Sequence, residues 1–235
     1  MTMTVFENRT FGRLFDRDSG RLFNGIEFQH CYFQGCALSL THSPELRSTV
    51  RDVILRDCEQ RGCIIEAAVF DTVTVDGLET NGLLQTWATV CNHVTLRGRI
   101  ERLMCSSALA PDVDGLAPPS HQRRFDDANE TFYASVDWAL DIREAEFEEC
   151  DLRGVPGHLI RRDPSTQVLI TRSAAMTGRW RSLDLSDTYW PTALDFFLES
   201  QAKNIVLVAP KRHRKFKRYL DGLLKLRDCG VAEPD

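Results

Sequence analysis

With 235 residues, 43% of them hydrophobic, the chain has enough apolar side chains for a sizeable core without disulfide staples. No run of eighteen apolar residues occurs, and Glu7, Arg9 and Arg13 interrupt the amino-terminal segment, so the reading has no membrane helix and no secretory leader, and a cytoplasmic protein is expected. The net charge of −5 is mild but uneven: the run KRHRKFKR (211–218) holds six of the 29 Lys/Arg, which leaves 23 basic against 34 acidic groups elsewhere, an acidic body with a basic tail.

Along the chain, Phe23, Phe28, Phe33 and Leu38 recur every five residues, and Arg21, Ile26, Cys31 and Cys36 stand two positions before them. Neither a helix nor a simple strand has that period. THSPELRST (41–49), polar and broken by a proline, reads as a loop insertion. The five-residue spacing then resumes with Leu55, Gln60, Ile65, Phe70, Val75, Thr80, Gln85 and Val90 as centres. Their companions, Val53, Cys58, Cys63, Ala68, Val73, Leu78, Leu83 and Ala88, are all apolar. Residues 106–130 contain Pro111, Gly115, Pro118 and Pro119 with almost no apolar periodicity, and read as a second loop insertion. TFYASVDWALDI (131–142) returns to strand-like composition, and a third block follows with Ile142, Phe147 and Leu152 as centres and Leu140, Ala145 and Cys150 as companions.

A longer period overlies the short one: VILRD (53–57), VTVDG (73–77) and VTLRG (94–98) begin 20 and 21 residues apart. VLITR (168–172) is a similar piece. Five residues per side and about 20 per turn predict a four-sided coil of short strands that bury their inner faces only by stacking. Centres and companions point inward in this scheme, His30 and Gly35 sit at corners, and Arg56 and Glu66 face water.

CYFQG (31–35), AEFEE (145–149) and CDLRG (150–154) resemble the pentapeptide-repeat family, whose unit is a small residue, a polar one, Leu or Phe, a polar one and often Gly. The resemblance implies a mainly β fold, a right-handed parallel β-helix, over about residues 21–40, 53–98 and 140–172. Gln60, Thr80 and Gln85 depart from the family pattern at centre positions. An antiparallel β-sandwich is the competing expectation.

After a β-helix over 1–185, residues 186–235 read as a helix–strand–helix cap. Ser186 or Asp187 caps a helix near Pro191, NIVLVAP (204–210) is a strand, and 211–230 form a second helix ended by Gly230. Such a cap would cover the last open edge of the coil.

Candidate sites are few. Eight cysteines in a chain this long read as reduced thiols, and five of them (31, 36, 58, 63 and 150) take the small inward position, which points to packing rather than a metal site. No cofactor is expected, since the sequence has no phosphate-binding glycine loop and no catalytic signature. Asp112, Asp114, Asp126, Asp127 and Glu130 are the carboxylates a β-helix carbohydrate-active enzyme would draw on. Lys211, Arg212, Arg214, Lys215, Lys217 and Arg218 are the candidate binding residues, at a helix start that already disfavours positive charge. The leading expectation is a non-enzymatic protein that binds another protein; nucleic-acid binding through 211–218 is the alternative. Pentapeptide-repeat relatives include bacterial proteins that shield a topoisomerase by imitating DNA and modules near toxin and immunity systems, so the resemblance implies roles of both kinds.

Overall fold

The computed structural model of the chain describes residues 3–111 and 118–233. Thirteen strands form one large sheet, curled into a half-barrel, in which every pair is parallel. In chain order they are β1 (Thr4–Glu7), β2 (Thr10–Gly12), β3 (Phe15–Arg17), β4 (Leu22–Gln29), β5 (Tyr32–Gln34), β6 (Ala37–Leu40), β7 (Thr49–Arg61), β8 (Ile64–Glu66), β9 (Val69–Trp87), β10 (Val90–Asn92), β11 (Val94–Ser106), β12 (Leu140–Asp151) and β13 (Ile160–Arg161). A two-stranded antiparallel sheet joins β14 (Gln167–Thr171) to β15 (Asn204–Val208). The α-helices among the described residues are α1 (Pro119–Tyr133), α2 (Arg172–Met176), α3 (Trp190–Glu199) and α4 (Phe216–Asp228).

The five-residue period is visible in the backbone. Left-handed residues fall at Asn8, Arg13 and Asp18, at Gly25, His30 and Gly35, at Asp52, Asp57, Gly62, Ala67, Thr72, Gly77 and Gly82, and at Ala88, His93 and Gly98, while Gly20, Ser39 and Asn81 stand off this spacing. A positive φ is uncommon outside glycine, so a recurrence every five residues marks a regular corner. Between corners the pairing follows four lines. Residues 4–7 pair with 26–29, these with 53–56, and these with 73–76. The second line joins 10–12, 32–34 and 59–61, and the third joins 15–17, 37–40 and 64–65. A fourth joins 22–24, 49–51, 69–71 and 90–92. Parallel stacking is thus the consequence of the repeat, and an antiparallel sandwich is ruled out for this part of the chain.

Inward positions largely follow the expected register. Ile142, Phe147, Leu152, Leu140, Ala145 and Cys150 are all buried, as are Cys31, Val53, Cys58 and Val73. The register slips at Gly82: Leu83 is exposed, whereas Leu84 and Thr86 are buried, because pairing with β11 shifts between Ile100 and Arg102. Glu66 is also buried, contrary to expectation, and accepts a hydrogen bond from Ala110 N–H at 3.0 Å.

Two further expectations are corrected. Residues 106–130 are not a simple loop: α1 occupies 119–133, with Pro119 at its first turn, and Phe125 seals Ala67, Ala88 and Leu109 against the outside of the sheet. The guanidinium of Arg47 lies 4.8 Å from the Phe125 ring centre and donates to Ala88 O and Asn129. The helix also takes in Thr131–Tyr133, placed with the strand above. Asp112, Asp114 and Gly115 lie outside the described residues.

VLITR, in turn, is not a further rung of the parallel sheet. It belongs to β14, whose alternate residues serve two cores. Leu169, Val206 and Val208 face the parallel sheet, whereas Val168, Ile170, Ile205 and Leu207 face α3, α4 and Trp180. The β14–β15 pair is therefore a partition between the curled sheet and the carboxyl-terminal helices. The α3 helix begins after Tyr189 with no side-chain cap from Ser186 or Asp187, and α4 starts at Phe216 rather than 211.

Candidate interaction surfaces and an apolar lumen

The six basic residues do not form one free patch. Lys211 to Lys215 precede α4 in a turn held by His213 N–H to Pro210 O and Phe216 N–H to His213 O, both at 2.9 Å. The proline and the turn shorten the predicted helix. Lys211 Nζ is 3.2 Å from Asp163, and Arg212 is 3.9 Å from Glu146 while its N–H donates to Phe147 O. Lys215 and Arg218 share Asp187, at 3.7 and 3.2 Å. Asp187 thereby places negative charge at the start of α4, where the dipole needs it. Arg214 and Lys217 are exposed and have no ion partner among the described residues. Lys211 and Arg212 thus fasten the run to the turn at Asp163 and to β12, and Lys215 and Arg218 tie α4 to Asp187 ahead of α3.

Burial by itself would raise the carboxyl of Asp163, but hydrogen bonds from Ser165, Thr166 and Lys211 override it and hold the group at about 2. An unfolded aspartate titrates near 3.9, so this carboxylate stabilises the fold above about pH 4 and the contribution is lost as pH falls toward 2. Asp163→Asn is expected to lose about 1 kcal/mol at pH 7, with the gap to wild type closing on acidification; thermal melts at pH 7 and pH 3 measure both.

The outer face of the first line of strands carries a column of alternating charge. Arg56, Asp76, Arg97 and Glu144 are successive Cα partners, and Glu27 lies beside the first of them. Arg56 bonds Glu27 at 2.8 Å and reaches Asp76 at 3.5 Å, and Arg97 bonds Asp76 at 2.8 Å. Neighbouring columns repeat the theme in Arg51–Asp71 and Arg102–Glu148. Such surface pairs contribute little stability each, but paired strands hold them in fixed rows.

Inside the curl lies a cavity of about 560 Å³. It runs from Phe6, Phe11 and Phe15 in the first strands to Leu140 and Val155 near the last, and its lining is almost wholly apolar. Phe28, Leu55, Phe70 and Val75 point into it and are only partly buried, while the smaller Val53 and Val73 are sealed. The sequence pattern explains the space. Where a regular repeat would set Leu or Phe, the chain has Gln60, Val75 and Thr80, so the axis is underfilled. Water would find few partners in the cavity's interior, where the polar side chains of Gln60, Thr80 and Thr89 are already engaged. Gln60 donates to Thr80 O and accepts from Cys63 N–H, Thr80 Oγ1 donates to Gly82 O, and Thr89 Oγ1 donates to Trp87 O.

A second, smaller cavity of about 230 Å³ lies between β12 and α3, lined by Glu149, Asp151, Arg153, Tyr189 and Phe196. Arg153 is committed to Asp151 through paired hydrogen bonds. Asp126, Asp127 and Glu130 line neither cavity and project from α1 as exposed side chains. All eight cysteines are free thiols, and burial pushes those of Cys91, Cys105 and Cys150 up, away from reactivity. No group of His, Cys, Asp and Glu suited to a metal occurs among the described residues, and none of their helices is long and apolar enough to cross a membrane.

Compared with protein-family models, with curated proteins and with solved structures, the chain matches none.

Proposed function

We propose that the chain is a non-catalytic interaction protein, a right-handed quadrilateral β-helix of pentapeptide-repeat type that binds another protein through a rigid charged side. Corners every five residues and four lines of parallel pairing support the architecture. The column Glu27–Arg56–Asp76–Arg97–Glu144 carries the functional reading. A row of charges held by a sheet gives a partner a fixed pattern to match, which favours specificity and orientation over raw affinity. Alternation of sign also separates this surface from a DNA-like one, whose phosphates present one sign throughout. That weighs toward a toxin- or effector-binding role in a bacterial cell over topoisomerase protection.

Reversing Arg56 and Arg97 to Glu turns the column uniformly acidic. A partner that co-purifies with wild type from the native host should be lost or bound at least about tenfold more weakly by this double variant, at unchanged circular dichroism. Retention of the same partner at equal affinity would remove this face from the proposal. Ala at all six basic positions of 211–218 serves as the parallel arm: salt-dependent duplex DNA binding that vanishes in this variant would replace the protein-partner reading with the nucleic-acid one.

A further inference from the structure

We propose that the apolar lumen is a binding site for a single long, unbranched acyl chain with an anionic head, the chain lying along the axis and its carboxylate at the rim formed by the first strands. The inference is independent of the protein-partner reading, because it uses the inner face of the sheet and not the outer one.

Three observations carry it. The cavity is long, since its lining runs from the first strands to Leu140 and Val155, which suits a linear chain. Away from the rim, its polar side chains Gln60, Thr80 and Thr89 are engaged in the protein's own hydrogen bonds, so the interior offers a polar ligand few partners. Finally, the cavity reaches the molecular surface at the first strands, where Leu14 and Phe15 of its lining are exposed although they are apolar.

Charge at that rim gives the head its sign. Residues 3–23 hold Arg9, Arg13, Arg17 and Arg21 against Glu7, Asp16 and Asp18, a balance of +1 in a chain of −5. Arg21 and Asp16 both line the cavity. The Asp16 carboxylate is occupied by Ser39 N–H, at 3.0 Å, and by the Ser19 hydroxyl. The Arg21 guanidinium has no ion partner among the described residues and is exposed, so it is the cation open to a fatty carboxylate. Binding is non-covalent and needs no co-reactant.

The test is a fluorescence titration of the purified full chain with cis-parinaric acid, followed by displacement with palmitate and with methyl palmitate. Saturable binding of one probe per chain is expected, displaced by both competitors. Two independent substitutions fill the lumen, Val75→Phe and Leu55→Phe, each accepted only with wild-type circular dichroism and a cooperative melt. Either folded variant should bind the probe at least about tenfold more weakly. Arg21→Gln should weaken palmitate several-fold and leave the neutral ester unchanged. Absence of saturable binding by wild type overturns the proposal, as does undiminished binding by a folded filling variant. So does a concentration-dependent dimer that hides Leu14 and Phe15 and binds no probe, which would assign the rim to a second copy. Equal loss of palmitate and ester in Arg21→Gln overturns the placement of the head.

Discussion

Replacing Trp190 by Ala is expected to remove about 3–5 kcal/mol of stability from the packing of the carboxyl-terminal helices. Trp190 is 1% exposed at the start of α3, its ring 4.8 Å from that of Tyr189 and 5.1 Å from that of Tyr219, and its Nε1–H donates to Tyr219 O at 3.3 Å. It also explains a glycine inside a helix. A Cβ on Gly222 would stand 2.8 Å from Trp190 Cδ1 and 2.9 Å from Nε1, so α4 approaches α3 there only without a side chain. Gly222→Ala alone should therefore cost about 1–3 kcal/mol through overpacking, despite the roughly 1 kcal/mol that Ala contributes to a helix interior. In a Trp190→Ala background the clash is gone and the same substitution should become neutral or stabilising. Urea unfolding of the four proteins, followed by circular dichroism, measures the coupling. An equal Gly222→Ala penalty in both backgrounds would show that the two helices do not meet as described.

The second large effect concerns the curled sheet. Gly154 follows β12, and its N–H donates to Cys105 O at 2.7 Å. A Cβ at this position would lie 2.7 Å from the carbonyl carbon of Ser106 and 2.8 and 2.9 Å from the carbonyl carbon and oxygen of Cys105. These are backbone atoms of the neighbouring strand and cannot swing aside like a side chain. Gly154→Ala should cost about 3 kcal/mol, combining overpacking with loss of the hydrogen bond. Gly35 is the control, since it has a φ of +57° but nothing within 4 Å of an added Cβ. There only the left-handed backbone is penalised, by about 1–2 kcal/mol. Calorimetric melts of the two variants decide the order, and a Gly35→Ala penalty equal to or above that of Gly154→Ala would refute the close approach.

Both predictions lie where the linear sequence is least informative. Gly222 is not marked by its neighbours, and CDLRG places Gly154 at the end of a repeat unit without showing the close approach to β11; each is required by a strand or helix distant in sequence. The basic run is similar. Its composition is plain, yet its pairing with Asp163, Glu146 and Asp187 depends on how the carboxyl-terminal helices dock on the sheet. The lumen lies between these extremes, because Gln60 and Thr80 already break the centre pattern, and only the assembled sheet shows that the breaks leave a continuous space.

By itself the sequence determined the stacking. A period of five is compatible with no isolated helix or strand, and an inner face of paired large and small residues can be buried only by laying one turn on the next, so parallel pairing at about 20 residues follows from local pattern alone. Tertiary structure decided what local pattern does not encode. The α1 helix buries only Phe125 and Asn129, too few residues to leave a helical imprint in a proline-broken segment. VLITR has the composition of a rung, but its partner is β15, because a strand's residues specify a buried face and not the strand that will pair with its edge.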